Sequence, residues 1–195
     1  IADETMPIVL GNPLFEQRSI ADRFAQLADG KPNGTGDAND PDLDDKADYY
    51  GDWDMNTVNE TGPHKGRYLF TVFETDRSGV QRHDLLTGQT DTIWYSPEES
   101  AHVSFDPSFW TPWGTLITGE ESWCTAGPGC VSPYGRLFEL KNPTHAPAIT
   151  LPLNVNSNDG ADFVHRNVIP RTSHEGIQFD KAGNMYFIDE LNGGN

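Results

Sequence analysis

Basic residues, cysteines and long apolar runs are all scarce in this chain. Thirteen Lys and Arg stand against thirty Asp and Glu among 195 residues, a formal charge of −17, with an isoelectric point near 4.4. A chain this acidic repels nucleic-acid phosphates and anionic membrane surfaces, so neither is an expected partner. No stretch approaches the roughly 18 apolar residues that a membrane span requires, and none is predicted. Absent too are a Gly-x-Ser-x-Gly nucleophile elbow, a phosphate-binding P-loop and a dinucleotide fingerprint, since Gly34-Thr35-Gly36 alone is too short to count. No charged and apolar leader opens the sequence at Ile1, so a mature or truncated start is expected.

The two cysteines, Cys124 and Cys130, share one short loop containing Gly127, Pro128 and Gly129. Those glycines let the loop fold back until the Cα atoms come within the roughly 4.4–6.8 Å that a disulfide spans. A local disulfide is predicted, and with it an oxidising compartment: secreted, periplasmic or cell surface. Two thiolates of a metal site are the alternative, which lacks Cys-x-x-Cys spacing.

What is plentiful is turn chemistry, with 19 Gly and 14 Pro against only 35% hydrophobic residues. The pattern reads as all-β, one domain over 1–195, with an N-terminal arm, helix and acidic insertion through residue 60 and propeller blades over 61–195. Ile8-Val9-Leu10 reads as a lone strand or extended arm. Ile20, Phe24 and Leu27 recur at helical spacing between Glu16 and Asp29, the one predicted helix, with Gly30 placed to end it. From Lys31 to Asp54 the chain is acidic and polar. Its acids miss the calcium-loop pattern, because Asp45 falls where that loop needs glycine, so a solvated insertion is expected.

Tyr68–Phe73, Val80–Leu85 and Thr90–Tyr95 read as three antiparallel strands of a meander, which is most of a propeller blade. A second group begins near His102 and takes in Thr115–Gly119 and Tyr134–Leu140. Ile149–Leu151 is a further candidate strand. The third group runs from Ser173 through a turn at Phe179–Asn184 to the strand Met185–Ile188 and Glu190. In each group a strand entered at a glycine closes on acids, at Glu74, at Glu120-Glu121 and at Asp189-Glu190, a weak internal repeat. Three blades, the last without its outer strands, predict a longer parent chain or a partner chain that completes the sheet.

The stretch Trp113-Gly114-Thr115-Leu116-Ile117-Thr118-Gly119-Glu120-Glu121 resembles the W-G-T-x-x-T-C-E-E signature of the PhoX-type alkaline phosphatases and their uncharacterised relatives. The segment from His174-Glu175-Gly176 to Asp189-Glu190 is similar to a later blade of theirs. The resemblance covers about the last hundred residues. It implies a secreted or periplasmic β-propeller whose channel holds calcium and iron, binds a phosphate ester and activates an oxygen nucleophile. Gly119 stands where those phosphatases carry the iron-binding cysteine, which puts iron in doubt here.

Acids at the ends of inner strands in successive blades would meet at one mouth of the channel. Glu120, Glu121, Glu175 and Glu190 are therefore the candidate ligands, and hard carboxylate oxygens suit Ca²⁺. Each acid alone is as readily a solvated strand end. His174 is a candidate metal ligand, general acid or phosphate donor, or else a hydrogen-bonded structural histidine. Arg166 and Arg171 are candidate anion clamps with geometry suited to phosphate oxygens, or else surface residues, and His165 shares that ambiguity. Asn33 and Asn59 head glycosylation sequons. Three readings stay open: a metal-dependent phosphomonoester hydrolase, a calcium-dependent lactonase-like hydrolase, and a non-catalytic extracellular or surface-layer module that uses calcium for rigidity.

Overall fold

The structure, a computed structural model, describes residues 53–74, 78–96, 101–122, 134–148 and 162–190, with Leu14 and Ile20. The predicted helix over 16–29 apart from Ile20, the strip at 8–10, nearly all of the acidic insertion, the sequon at Asn33, the strand at 149–151 and the Cys124–Cys130 pair lie outside the described residues.

Among the described residues ten strands make three antiparallel sheets: β1 (Trp53–Val58), β2 (Tyr68–Phe73), β3 (Gly79–Asp84) and β4 (Thr90–Tyr95); β5 (Phe105–Trp110), β6 (Leu116–Glu120), β7 (Leu137–Leu140) and β8 (Phe163–His165); and β9 (His174–Phe179) with β10 (Met185–Asp189). In the two four-stranded sheets each strand pairs with the next along the chain, and every pairing is antiparallel. No helix occurs among the described residues. The three-stranded meander expected at 68–95 is thus four-stranded, because β1 begins where the acidic insertion was read to end.

Local chemistry sets the corners. Between β1 and β2 the buried Asn59 side chain donates to the His64 carbonyl at 2.6 Å and accepts from the Tyr68 N–H at 2.8 Å, organising the connection from within. With both polar ends engaged and almost no surface, the Asn59 sequon offers no nitrogen to a glycan in the folded chain. Between β9 and β10 the Asp180 carboxylate accepts from the Ala182 and Asn184 N–H groups at 2.9 Å each, closing the turn expected there.

The sheets stack face to face. Phe70, Val72, Val80, Ile93 and Trp94 of the first sheet pack with Phe105, Trp110, Leu116, Phe138, Leu140 and Phe163 of the second. Trp94 and Phe163 stack with ring centroids 4.0 Å apart. On the other side of the second sheet, Ile117 and Leu137 pack with Ile177 of β9, with Phe109, Phe179, Met185 and Phe187 against them. The middle sheet is therefore covered on both faces, which is why β6 is buried along its whole length.

Candidate functional site

The first strands of the three sheets lie side by side, β1 against β5 and β5 against β9. Each carries a one-residue bulge at the same place. Between Trp53 and Asn56 three steps of β1 oppose two of β2; Phe105 to Ser108 does the same against β6, and His174 to Ile177 against β10. The first residue inside each bulge is an acid: Asp54, Asp106 and Glu175. An extra residue re-aims the local side chains, and bulges concentrate beside active sites for that reason. Register also aligns the acids that close the second strands. Glu121 N–H donates to the Ser104 carbonyl at 2.7 Å and Glu190 N–H to that of Ser173 at 3.0 Å; Glu74 follows Phe73, which pairs with Trp53.

These acids meet across sheets. Asp106 shares hydrogen bonds with Glu175 on one side and Asp54 on the other, Asp54 shares one with Glu74, and the Glu121 charge bears on Asp106. Burial first, then the Glu175 hydrogen bond and the neighbouring charges, pushes Asp106 up to about 9. Burial first, then Glu74, raises Asp54 to about 6. Like charges held out of water disfavour ionisation in this way, and such shifts mark functional sites. Asp106 is 4% exposed, and its Oδ1 has no hydrogen-bond partner; neither has the buried Oε2 of Glu175. Arg67, Arg82, Arg136 and Arg166 are spent on Asp84, Asp91, Glu120 and Glu139. Among the described residues no three His, Cys, Asp or Glu side chains form a ready-made metal cage. The acids instead form a row, Glu74–Asp54–Asp106–Glu175, that crosses three sheets, and within it Asp54 and Asp106 bear on each other.

Of the acids expected at the site, Glu121 and Glu175 are brought together around Asp106. Glu120 is employed elsewhere. Fully buried, it accepts from Arg136 Nε at 2.9 Å and from the Arg136 backbone N–H at 3.0 Å, with a further ion pair to Nη2. Glu190 is exposed at the margin of the third sheet. Arg166 binds Glu139, its Nε 2.6 Å from Oε2, and Arg171 donates to the Tyr134 carbonyl at 3.0 Å. His165 lies beside Phe138. His174 is fully buried, its Nδ1 3.0 Å from Thr172 Oγ1 and its Nε2 unpartnered; burial lowers it to about 4, so it is neutral at physiological pH.

Gly119 lies opposite the Asp106 bulge, and the ring of His174 fills the space a side chain there would need. A Cβ at Gly119 would stand 2.9 Å from His174 Cβ and 3.0 Å from Cγ. A thiolate ligand does not fit this position, so the cysteine ligand that the resemblance implies has no room at residue 119. Gly119→Cys is expected to destabilise the fold by about 1–3 kcal/mol through overpacking and to acquire no thiolate-to-iron absorption band when titrated with ferric ion. A stable, coloured variant would show that the close approach yields.

The chain matches no protein-family model, no curated protein and no solved structure.

Proposed function

We propose that the chain is a calcium-binding, propeller-type module of the PhoX-like kind, working outside the cytoplasm, with phosphoester hydrolysis as the chemistry its bound cation serves. One observation carries the reading: three equivalent bulges aim Asp54, Asp106 and Glu175 from successive sheets at one another, and leave buried carboxylate oxygens without a donor. Cost decides its meaning. An isolated buried carboxylate is expensive and a crowd of them more so, unless a cation satisfies the set. All-oxygen donors match Ca²⁺, which takes six to eight hard ligands, of which the protein need supply only part.

The repeat supports the propeller. Consecutive antiparallel meanders whose first strands lie together are how blades surround a channel. On this reading β9 and β10 begin a third blade, and β10, with one strand neighbour among the described residues, receives the next strand on its free edge. Asp54, Asp106 and Glu175 hold the cation, with Glu74 and Glu121 at its margin. When bound, the cation supplies positive charge against phosphoryl oxygens. His174, buried and neutral, orders the strands behind Gly119.

A second reading has its own support: with no room for a thiolate at Gly119 and Arg166 spent on Glu139, calcium serves rigidity alone. Calorimetric titration of the chelator-stripped protein with calcium, beside a p-nitrophenyl phosphate assay, separates the two. Saturable binding tighter than about 10⁻³ M with turnover supports the hydrolase. Binding without turnover supports the rigid module, and no binding sinks both.

A further inference from the structure

At the far end of β5 from Asp106, the chain turns through Thr111–Thr115 and presents Trp113, a residue 57% exposed. This exposed ring is not loose. Its Nε1–H donates to Glu139 Oε1 at 2.8 Å, and its edge meets Phe179 at 5.3 Å and 88°. Glu139 is itself buried and takes the Thr115 hydroxyl at 2.5 Å and Arg166 Nε at 2.6 Å. Burial alone would raise Glu139, but the hydrogen bonds from Thr115, Trp113 and Arg166 outweigh it and hold it ionised. The turn is fixed as well: Thr111 N–H donates to the Thr115 carbonyl at 2.8 Å, and Gly114 adopts φ +90°. A buried carboxylate anchors a ring that faces water, which packing alone does not require.

Beside this ring lie two clefts that share Thr61, Trp110 and Pro112 as a common wall. One, of about 310 Å³, adds Trp113, His64 and Thr144. The other, of about 460 Å³, adds Glu60, Phe109 and Gln178. Both fall in the size range of small-molecule sites, roughly 300–1,000 Å³.

We infer that this double cleft binds a neutral oligosaccharide, with the Trp113 indole as its stacking platform. A pyranose has one flat face of C–H groups and a rim of hydroxyls. The first matches a rigid exposed indole, and the second matches the hydroxyl, imidazole, amide and carboxylate groups of Thr61, Thr144, His64, Gln178 and Glu60. Neither cleft is lined by Lys or Arg, and the chain carries −17, so phosphorylated or carboxylated ligands are disfavoured. A quaternary ammonium would want a cage of aromatic faces. Here Trp110 is buried, leaving the indole of Trp113 as a single platform. Holding the ring in place beforehand removes an ordering cost from binding. Two clefts with a shared wall seat successive sugar units.

The test uses the full chain and two neutral probes, cellohexaose and maltohexaose, with choline as the charged control, read by tryptophan fluorescence and saturation-transfer NMR. One hexasaccharide is expected to bind with a dissociation constant near or below ~1 mM. Trp113→Ala should weaken it by at least about tenfold, or ~1.4 kcal/mol, with the variant still folded and its melting midpoint lowered by no more than about 4–8 °C through the lost hydrogen bond to Glu139. Trp113→Phe should retain part of the affinity. No binding of either sugar at ~10 mM, binding undiminished in Trp113→Ala, or binding of choline in place of sugar would each overturn the inference.

Discussion

In a chelating buffer Asp106→Asn is expected to melt above the wild type, and in millimolar calcium below it. The sign follows from proton linkage. Asp106 and Asp54 titrate above the ordinary 3.8 of an aspartate, at about 9 and about 6. Between roughly pH 4 and pH 9 the folded chain therefore holds protons that the unfolded chain has released, and stability falls as pH rises through that window. An amide at position 106 is neutral without taking up a proton, so it escapes the largest part of this cost. Relief of ~2 kcal/mol would raise the midpoint of a chain this size by about 4–8 °C. Calcium reverses the order, because an ion at a hundredfold excess over its dissociation constant adds about 2.7 kcal/mol to a wild type that holds it and little to a variant that does not. Calorimetric scans at pH 5, 7 and 9, with chelator and with calcium, give the answer. Should Asp106→Asn melt below the wild type in chelator, or should calcium move both proteins alike, the carboxylates are not a strained cation site.

Arg136→Met is expected to cost about 3–5 kcal/mol, since breaking a buried ion pair leaves its partner charged and unpaired. For a chain of this length that is a fall of roughly 6–20 °C in the melting midpoint. Glu120 has no surface through which water could compensate. Arg136 also donates to the Ala101 carbonyl at 2.6 Å and lies over the Phe138 ring at 5.1 Å, so it ties the strand end into the core. Adding Glu120→Gln should recover most of the loss, because the double variant buries no charge. Since Arg136 occupies the Glu120 carboxylate, Glu120→Gln alone should keep its response to calcium. Urea unfolding of the two single variants and the double variant decides this. A small cost for Arg136→Met, or costs that simply add, would mean the pair is dispensable.

The strands built from short runs of β-branched and aromatic residues were legible in the sequence. Tyr68–Phe73 and Thr90–Tyr95 stand as β2 and β4, and the chain from Val80 as β3, because such runs bounded by turn residues, as at Thr87-Gly88, suit a pleated buried strand. β1 and β5 were hidden by the feature that makes them interesting. A bulge shifts the period by one residue, so Trp53-Asp54-Met55-Asn56 and Phe105-Asp106-Pro107-Ser108 read as polar, broken stretches. Pro107 was the available signal, since proline inside a sheet is confined to edges and bulges. The acids closing the second strands were visible as a repeat, but whether such an acid meets another sheet or an arginine depends on pairing and stacking. Glu120 and Glu121 are sequence neighbours with different employments for that reason: Arg136 claims the first, and Asp106 lies near the second.

The middle sheet, covered on both faces, sets the order in which this protein assembles. Each meander is built from neighbours in sequence and forms at low loop-closure cost, so contacts within sheets come early and fast. Asp54, Asp106 and Glu175 are apart until the sheets dock, and their mutual repulsion falls wholly on that late step. Docking is thus expected to be the slow stage of folding at alkaline pH without a cation, a stage that stopped-flow refolding at pH 7 and pH 10 would show as a phase slowed at the higher pH. On the proposed function, a divalent ion that gathers the three acids would act as a folding template, joining sheets that would otherwise hold one another off.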